Sequence, residues 1–229
     1  MRTRTVLLLA SLAAATFAVT DGVSLRWAPK EGDTLRYQTT GEFDVAGKHA
    51  TITAVNVQKV IRVDADGGYL VQATPTEGKT IYEGTEYPVS KITTLTSYGA
   101  TGEVKEIRSD QSDAMGYRMA NLTGFHAPTK PVAIGDAWSS EGKADPKTGA
   151  VAWKADYKVQ GEDTIGPFAA IKVEVTAKET EGTSPGKAVG IVWIGKDGVL
   201  ARSELTWSDL SVPGAPGNVS GKITMTRLE

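Results

Sequence analysis

From residue 23 onward, apolar and polar residues alternate in short runs separated by glycine-bearing turns. This is the period-two pattern of an antiparallel sheet with one wet face. In Val151-Ala152-Trp153-Lys154-Ala155-Asp156-Tyr157-Lys158-Val159 the odd positions are apolar or aromatic and the even ones mostly charged, and residues 169–178 alternate in the same way. The first half of the chain predicts strands near 35–43, 50–63, 69–74, 92–98 and 103–107. The second predicts a strand opening at Trp138, then 151–159, 169–178, 190–194, 199–210 and 219–228. Lys196-Asp197-Gly198 supplies a hairpin turn between two of these.

One segment breaks the alternation. Ser109-Asp110-Gln111-Ser112-Asp113 offers capping oxygens and first-turn acids for a short helix reaching about Asn121. Met115, Met119 and Leu122 fall at helical spacing, so one face can pack on the sheet. Gly124 and Pro128 end it. Around this seam the chain restarts: Pro131-Val132-Ala133-Ile134-Gly135-Asp136-Ala137-Trp138 echoes Pro29-Lys30-Glu31-Gly32-Asp33-Thr34-Leu35. Later, Ile194-Gly195-Lys196-Asp197-Gly198-Val199 echoes Tyr98-Gly99-Ala100-Thr101-Gly102-Glu103. The expected architecture is mainly β: a strongly curved antiparallel sheet, a half-barrel or up-and-down barrel of about 11–12 strands, with one short central helix. It is expected to form one domain over 19–229, built from pseudo-repeated halves at about 23–108 and 131–229 and joined by the helix and loop of 109–130. No Ser/Pro/Gly-rich linker divides the halves. Residues 180–186 and 212–217 read as exposed connectors.

The first residues change the picture. Met1-Arg2-Thr3-Arg4-Thr5 is a basic head, and the apolar run over 6–18 ends in small residues, the layout of a cleaved secretory signal peptide. That run falls short of the roughly 20 residues that cross a bilayer. The expectation is a periplasmic or secreted protein with no stable membrane span after cleavage near Ala18. The chain has no cysteine, which excludes disulfides, thiolate metal sites and a lipidated N-terminal Cys. Its net charge of −2 is spread along the chain with no basic stripe, which argues against nucleic acid.

Candidate chemistry is sparse. The two histidines, His49 and His126, lie far apart and outside any metal-binding spacing. Asp64-Ala65-Asp66-Gly67-Gly68 looks like a fragment of a calcium loop, but it lacks the later ligands and leads straight into Tyr69-Leu70-Val71, as a hairpin turn does. No catalytic residue, metal or cofactor is assigned. The five tryptophans are the most suggestive residues. Rings of this size fill cores or line cavities for apolar ligands. Trp153 and Tyr157 share a strand face and, with Trp193 and Trp207, are the candidate ligand-binding residues.

The order of signal peptide, Trp27-Ala28-Pro29-Lys30-Glu31-Gly32-Asp33-Thr34-Leu35, long strands, central helix, Pro131 to Trp138 and the Trp193-Ile194-Gly195-Lys196-Asp197-Gly198 hairpin resembles a group of exported bacterial proteins of unknown function. More distantly it is similar to the periplasmic lipoprotein-carrier half-barrel superfamily. The resemblance implies an open curved sheet whose sheltered side takes acyl chains, and it carries no site residue onto a numbered position here. Taken together, the sequence favours a non-enzymatic envelope protein that binds a lipid or another amphiphilic or apolar ligand. The alternatives are a structural or interaction protein that meets another envelope protein without a small-molecule pocket and, third, a hydrolase of unrecognised type.

Overall fold

The computed structural model describes residues 22–45, 47–109, 114–182, 184–211 and 218–229. The segment read as a signal peptide, 1–18, the capping residues 110–113 and the loop 212–217 lie outside the described residues. Six strands precede the helix: β1 (Thr34–Val45), β2 (Lys48–Val63), β3 (Tyr69–Tyr82), β4 (Thr85–Pro88), β5 (Thr94–Tyr98) and β6 (Val104–Arg108). After α1 (Ala114–Thr123) come β7 (Ala137–Gly142), β8 (Trp153–Ile165), β9 (Phe168–Glu179), β10 (Lys187–Gly195), β11 (Leu200–Ser211) and β12 (Asn218–Leu228). They form one 12-stranded antiparallel sheet in the order β6-β5-β3-β2-β1-β12-β11-β10-β9-β8-β7, with β4 beside β3. The sheet does not close: β6 and β7 are its two edges, and of the two expected forms it is the half-barrel. The strand that sequence alternation missed, β4, and the outer part of β3 are largely exposed, so no apolar period marks them.

The two halves repeat in backbone detail. Gly32 and Gly135 take positive φ, 89° and 93°, in turns that a side chain would strain. In each turn the Asp Oδ2 accepts from a backbone N–H three residues back, Lys30 N to Asp33 and Ala133 N to Asp136, both 2.8 Å. Gly32 N then donates to Val60 O and Val60 N to Asp33 O, as Gly135 N does to Val159 O and Val159 N to Asp136 O. Strand β1 pairs Thr34 with Lys59, and β7 pairs Ala137 with Lys158. Both second strands carry a bulge just past that point, after Val60 and after Val159. The late hairpins match as well, with Gly99 N bonding Glu103 O and Gly195 N bonding Val199 O. Register therefore aligns β6-β5-β3-β2-β1 with β11-β10-β9-β8-β7, with β12 between them.

Two pieces cover the concave side. Helix α1 turns Met115, Met119 and the buried Leu122 onto the large core of the second half, which includes Trp153, Tyr157, Val173, Leu205 and Trp207. Gly124 ends the helix, its N–H bonding Ala120 O. Arg118 pins α1 by a bidentate pair to the buried Glu179, with both N···O distances 2.6 Å. Gly186 N gives Glu179 a further partner at 2.7 Å. Tyr117 Oη meets both the N–H and the C=O of Ile107, satisfying part of the free β6 edge. The second cover is an N-terminal strap over 23–29. Val23 pairs with Val132, Leu25 is buried in the main core, and Arg26 donates to Ala100 O. Only glycine fits at position 198, because a Cβ there would collide with the Arg26 carbonyl.

The seam loop after α1 locks onto the second half through His126, which is 1% exposed. Its ring stacks on Trp153 at 4.4 Å, and its backbone oxygen accepts from Trp138 Nε1 at 2.9 Å. Neither ring nitrogen has a hydrogen-bond partner among the described residues. Burial pushes the imidazole pKa down to about 4, against a smaller upward pull from the Asn121 backbone and the Glu103 charge.

Two expectations follow from this framework. Asp33→Ala and Asp136→Ala should each cost about 1 kcal/mol, and by similar amounts, when unfolding is followed in urea; a large inequality would mean that the two turns do not play equivalent parts. For His126, the unfolded chain takes up a proton near pH 6.5 and the folded one only near 4. Its contribution is therefore complete above pH 6.5 and is lost as pH falls towards 4, by about 3 kcal/mol in all. The stability difference between wild type and His126→Phe, measured from pH 8 to 4, should shrink across that window and be flat above it.

Candidate functional site

The concave face is filled unevenly, and register explains why. Aligned through Lys59 and Lys158, Tyr157 of β8 corresponds to Gln58 of β2, and Trp153 corresponds to Ala54. The second half carries a large ring at both positions, whereas the first carries an amide and a methyl group. On the cover above, residues are small as well: Ala120 and Gly124 at the end of α1, Ala127 in the seam loop, Ala100 and Gly102 in the β5–β6 turn. Leu25, Trp27 and Phe125 are the larger residues of the cover, and they too border the gap. What remains is a cavity of about 260 Å³ between β1, β2, β3, β5, β6, the strap and the end of α1, closed on the other side by β12, Ile194 of β10 and the β10–β11 turn.

Its walls are apolar and aromatic: Trp27, Leu35, Tyr37, Tyr69, Val71 and Met225 are among them, and no lining side chain is charged. Trp27 meets Tyr69 edge-on at 5.1 Å, and Tyr69 stacks on Tyr98 at 5.2 Å. Tyr37 Oη donates to Leu200 O at 3.1 Å. Burial raises the phenol pKa of Tyr37, Tyr69 and Tyr98 above the ordinary value, so all three are neutral hydroxyls. The seam loop closes onto the rim through Ala127 N to Thr101 O at 2.8 Å. Beside the rim, burial pushes the Glu103 carboxyl up, but hydrogen bonds from Thr101 outweigh it and hold the pKa below the usual range.

Beyond Trp27, Leu35 and Val199 lies a second, polar recess of about 300 Å³ that also touches Asp33, Asp197 and Arg227. Its charges are already engaged: Arg227 pairs with Asp197 at 2.8 Å, and Asp33 accepts from Lys30 N.

The four residues singled out in the sequence divide between other places. Trp153, Tyr157 and Trp207 lie together in the main core, where Tyr157 stacks on Trp138 at 5.0 Å and its hydroxyl meets the 124–126 backbone. Trp193 points to the opposite face of the sheet, against Ala170 and Phe168, with its indole N–H on Asp163 at 2.9 Å and with Lys172 and Arg202 over its ring. None of the four lines the cavity. The residues that do line it were missed because they are scattered over both halves; the one readable signal was the loss of ring size at Gln58 relative to Tyr157. His126 faces Trp153, away from the cavity. His49 sits 3.4 Å from Asp44 on an exposed hairpin. Among the described residues no cluster of acids and histidines is placed to hold a metal ion, and no helix is long and apolar enough to cross a membrane.

No family model matches the chain, and neither does any curated protein. Among solved structures it is similar to lipovitellin, from work on lipid–protein interactions, at 12% identity and a TM-score of 0.49 over 87% of this chain and 25% of that one. The chain thus spans a quarter of the length of the lipovitellin chain. It is also similar to an exported protein with a YmcC-like fold from Bacteroides fragilis NCTC 9343, at 12% identity and a TM-score of 0.37, over 90% of this chain and all of that one. A third likeness is to a DUF1329 family protein from Desulfovibrio piger, at 11% identity and a TM-score of 0.25, over 86% and 85% of the two chains. At these identities the likeness concerns the fold alone.

Proposed function

We propose that this protein is a non-enzymatic, exported binding protein that shelters one small apolar or amphiphilic molecule, or one end of a longer chain, in the cavity of its first half. The observation that carries this reading is a cavity of about 260 Å³ with uncharged, mostly apolar walls, in a fold whose other half buries its large rings in one core. An apolar cavity of about 150 Å³ already takes benzene, and pockets for drug-sized ligands run from roughly 300 Å³ upward. The volume here suits one chain or a fused ring pair, not a lipid with several acyl chains lying wholly inside. An interaction protein without a pocket would have no reason to leave this face unfilled. A hydrolase would need a nucleophile or base in the cavity, and neither histidine faces it.

The neutral dye N-phenyl-1-naphthylamine tests this. Full-length protein, stripped of bound apolar material, is expected to take up one equivalent with a rise in dye fluorescence. Met225→Trp, which places an indole in the cavity, should weaken uptake by about tenfold or more with the melting temperature kept. Absence of dye uptake by the wild type, or uptake unaffected by Met225→Trp, would sink the reading.

A further inference from the structure

We propose that the cavity selects a neutral oxygen-bearing ligand, such as a ketone, ester or alcohol, whose oxygen hydrogen-bonds Tyr69, and that it discriminates against the matching carboxylate and the matching hydrocarbon. This rests on the binding reading above and adds the chemical class of the ligand.

The argument is a census of the polar side chains in the wall. Tyr37 donates to Leu200 O, Thr123 Oγ1 to Met119 O at 2.8 Å, and Thr101 Oγ1 to Glu103 at 2.7 Å. The Thr96 side chain draws the Tyr98 phenol pKa down, against the larger upward push of burial. Among the lining groups with no hydrogen-bond partner in the described residues are the Tyr69 hydroxyl and the Gln58 amide. Tyr69 is only 8% exposed, yet its oxygen is not sealed into protein as the His126 nitrogens are. Tyr69 is one of the residues that line the cavity.

The repeat makes this more pointed. Register aligns Tyr69 of β3 with Ile171 of β9, and Tyr98 of β5 with Ile194 of β10, since Tyr69 pairs with Tyr98 and Ile171 with Ile194. An isoleucine fills the same place in the second half and buries no polar atom. In the first half a phenol stands there, its ring fixed between Trp27 and Tyr98. A donor held in one orientation loses little entropy on binding, so it favours an acceptor at one position.

Charge then narrows the class. A hydrocarbon would leave the Tyr69 hydroxyl buried and unmatched, which costs binding free energy. A carboxylate would lose its hydration in a wall without a charged side chain; the ionised Glu103 stands at the rim, Arg26 is turned onto the Ala100 carbonyl, and Arg227 is held by Asp197. A neutral carbonyl or hydroxyl avoids both penalties.

The test is displacement of bound N-phenyl-1-naphthylamine at pH 8 by three probes of one chain length: 2-octanone, octanoate and octane. The ketone is expected to displace dye at about tenfold lower concentration than either of the others. In Tyr69→Phe, which removes one oxygen, the ketone should weaken by about three- to tenfold while octane is unchanged or slightly better. Octanoate equal to or stronger than the ketone in the wild type would overturn the assignment, and so would an advantage of the ketone over octane that survives Tyr69→Phe. In either case dye binding still stands, so the ligand class fails and the pocket does not. If the dye does not bind the wild type at all, both readings fall together.

Discussion

The constraint on which this structure depends is the cost of covering the concave side of a twelve-stranded open sheet with very little chain. An apolar sheet face must be buried against something, and here the cover consists of a ten-residue helix, a short seam loop and the strap at 23–29. Arg118 and Glu179 decide where the helix goes. Their bidentate contact is nearly dry, and separating two such charges leaves at least one of them buried and unpaired. Helix α1 is therefore committed to β9 and its neighbours, so its apolar face completes the core of the second half. The first half receives the strap, the Tyr117 contact with the β6 edge and the small residues at the helix end.

A duplicated framework makes the consequence easy to follow. The entry turns, the bulges after Val60 and Val159 and the late hairpins match, whereas β4 and the bulge at Val55 belong to the first half alone; on the matched strands the differences fall on side chains. Where β8 presents Trp153 and Tyr157, β2 presents Ala54 and Gln58. Where β9 and β10 present Ile171 and Ile194, β3 and β5 present Tyr69 and Tyr98. One half has been filled with hydrocarbon and large rings. The other has exchanged ring volume for space and aliphatic carbon for hydroxyl groups. Matched inner strands thus support a packed core toward one end of the sheet and a lined cavity toward the other.

Much of the fold was legible because half-buried strands write their burial into period-two alternation. Residues 151–159 and 169–178 show it plainly, and the Gly-Asp entries at 32–33 and 135–136 mark where each half begins. The outer hairpin of β3 and β4 was not legible, since exposure on both faces removes the alternation that a reader relies on. The strap was hidden for another reason: Leu25 and Trp27 are held by tertiary contacts that no local pattern announces. The candidate site was harder still. Ring size draws attention to Trp153, Tyr157 and Trp207, but alternation says only that they point inward, not whether another layer lies over them. An empty space is specified by what is small, and Ala120, Gly124 and Ala127 look like ordinary loop and helix residues until the opposite wall is known.

The cavity also links binding to stability. Atoms lining an unfilled space lack partners on one side and forgo dispersion contacts that the second half enjoys. A molecule that fits the space restores those contacts in the folded state alone, so it shifts the folding equilibrium by mass action as it binds. The elements that would feel this first are the ones that form the wall without belonging to the sheet: the strap, held by the Val23–Val132 pair, Leu25 and the Arg26–Ala100 bond, and the seam loop, held by Ala127 on Thr101. Both are anchored on the packed half and reach over the open one. The rigid core around Trp153 and His126 thereby supports a cover whose free side is completed by ligand, and a filled second half is what allows the first half to stay open.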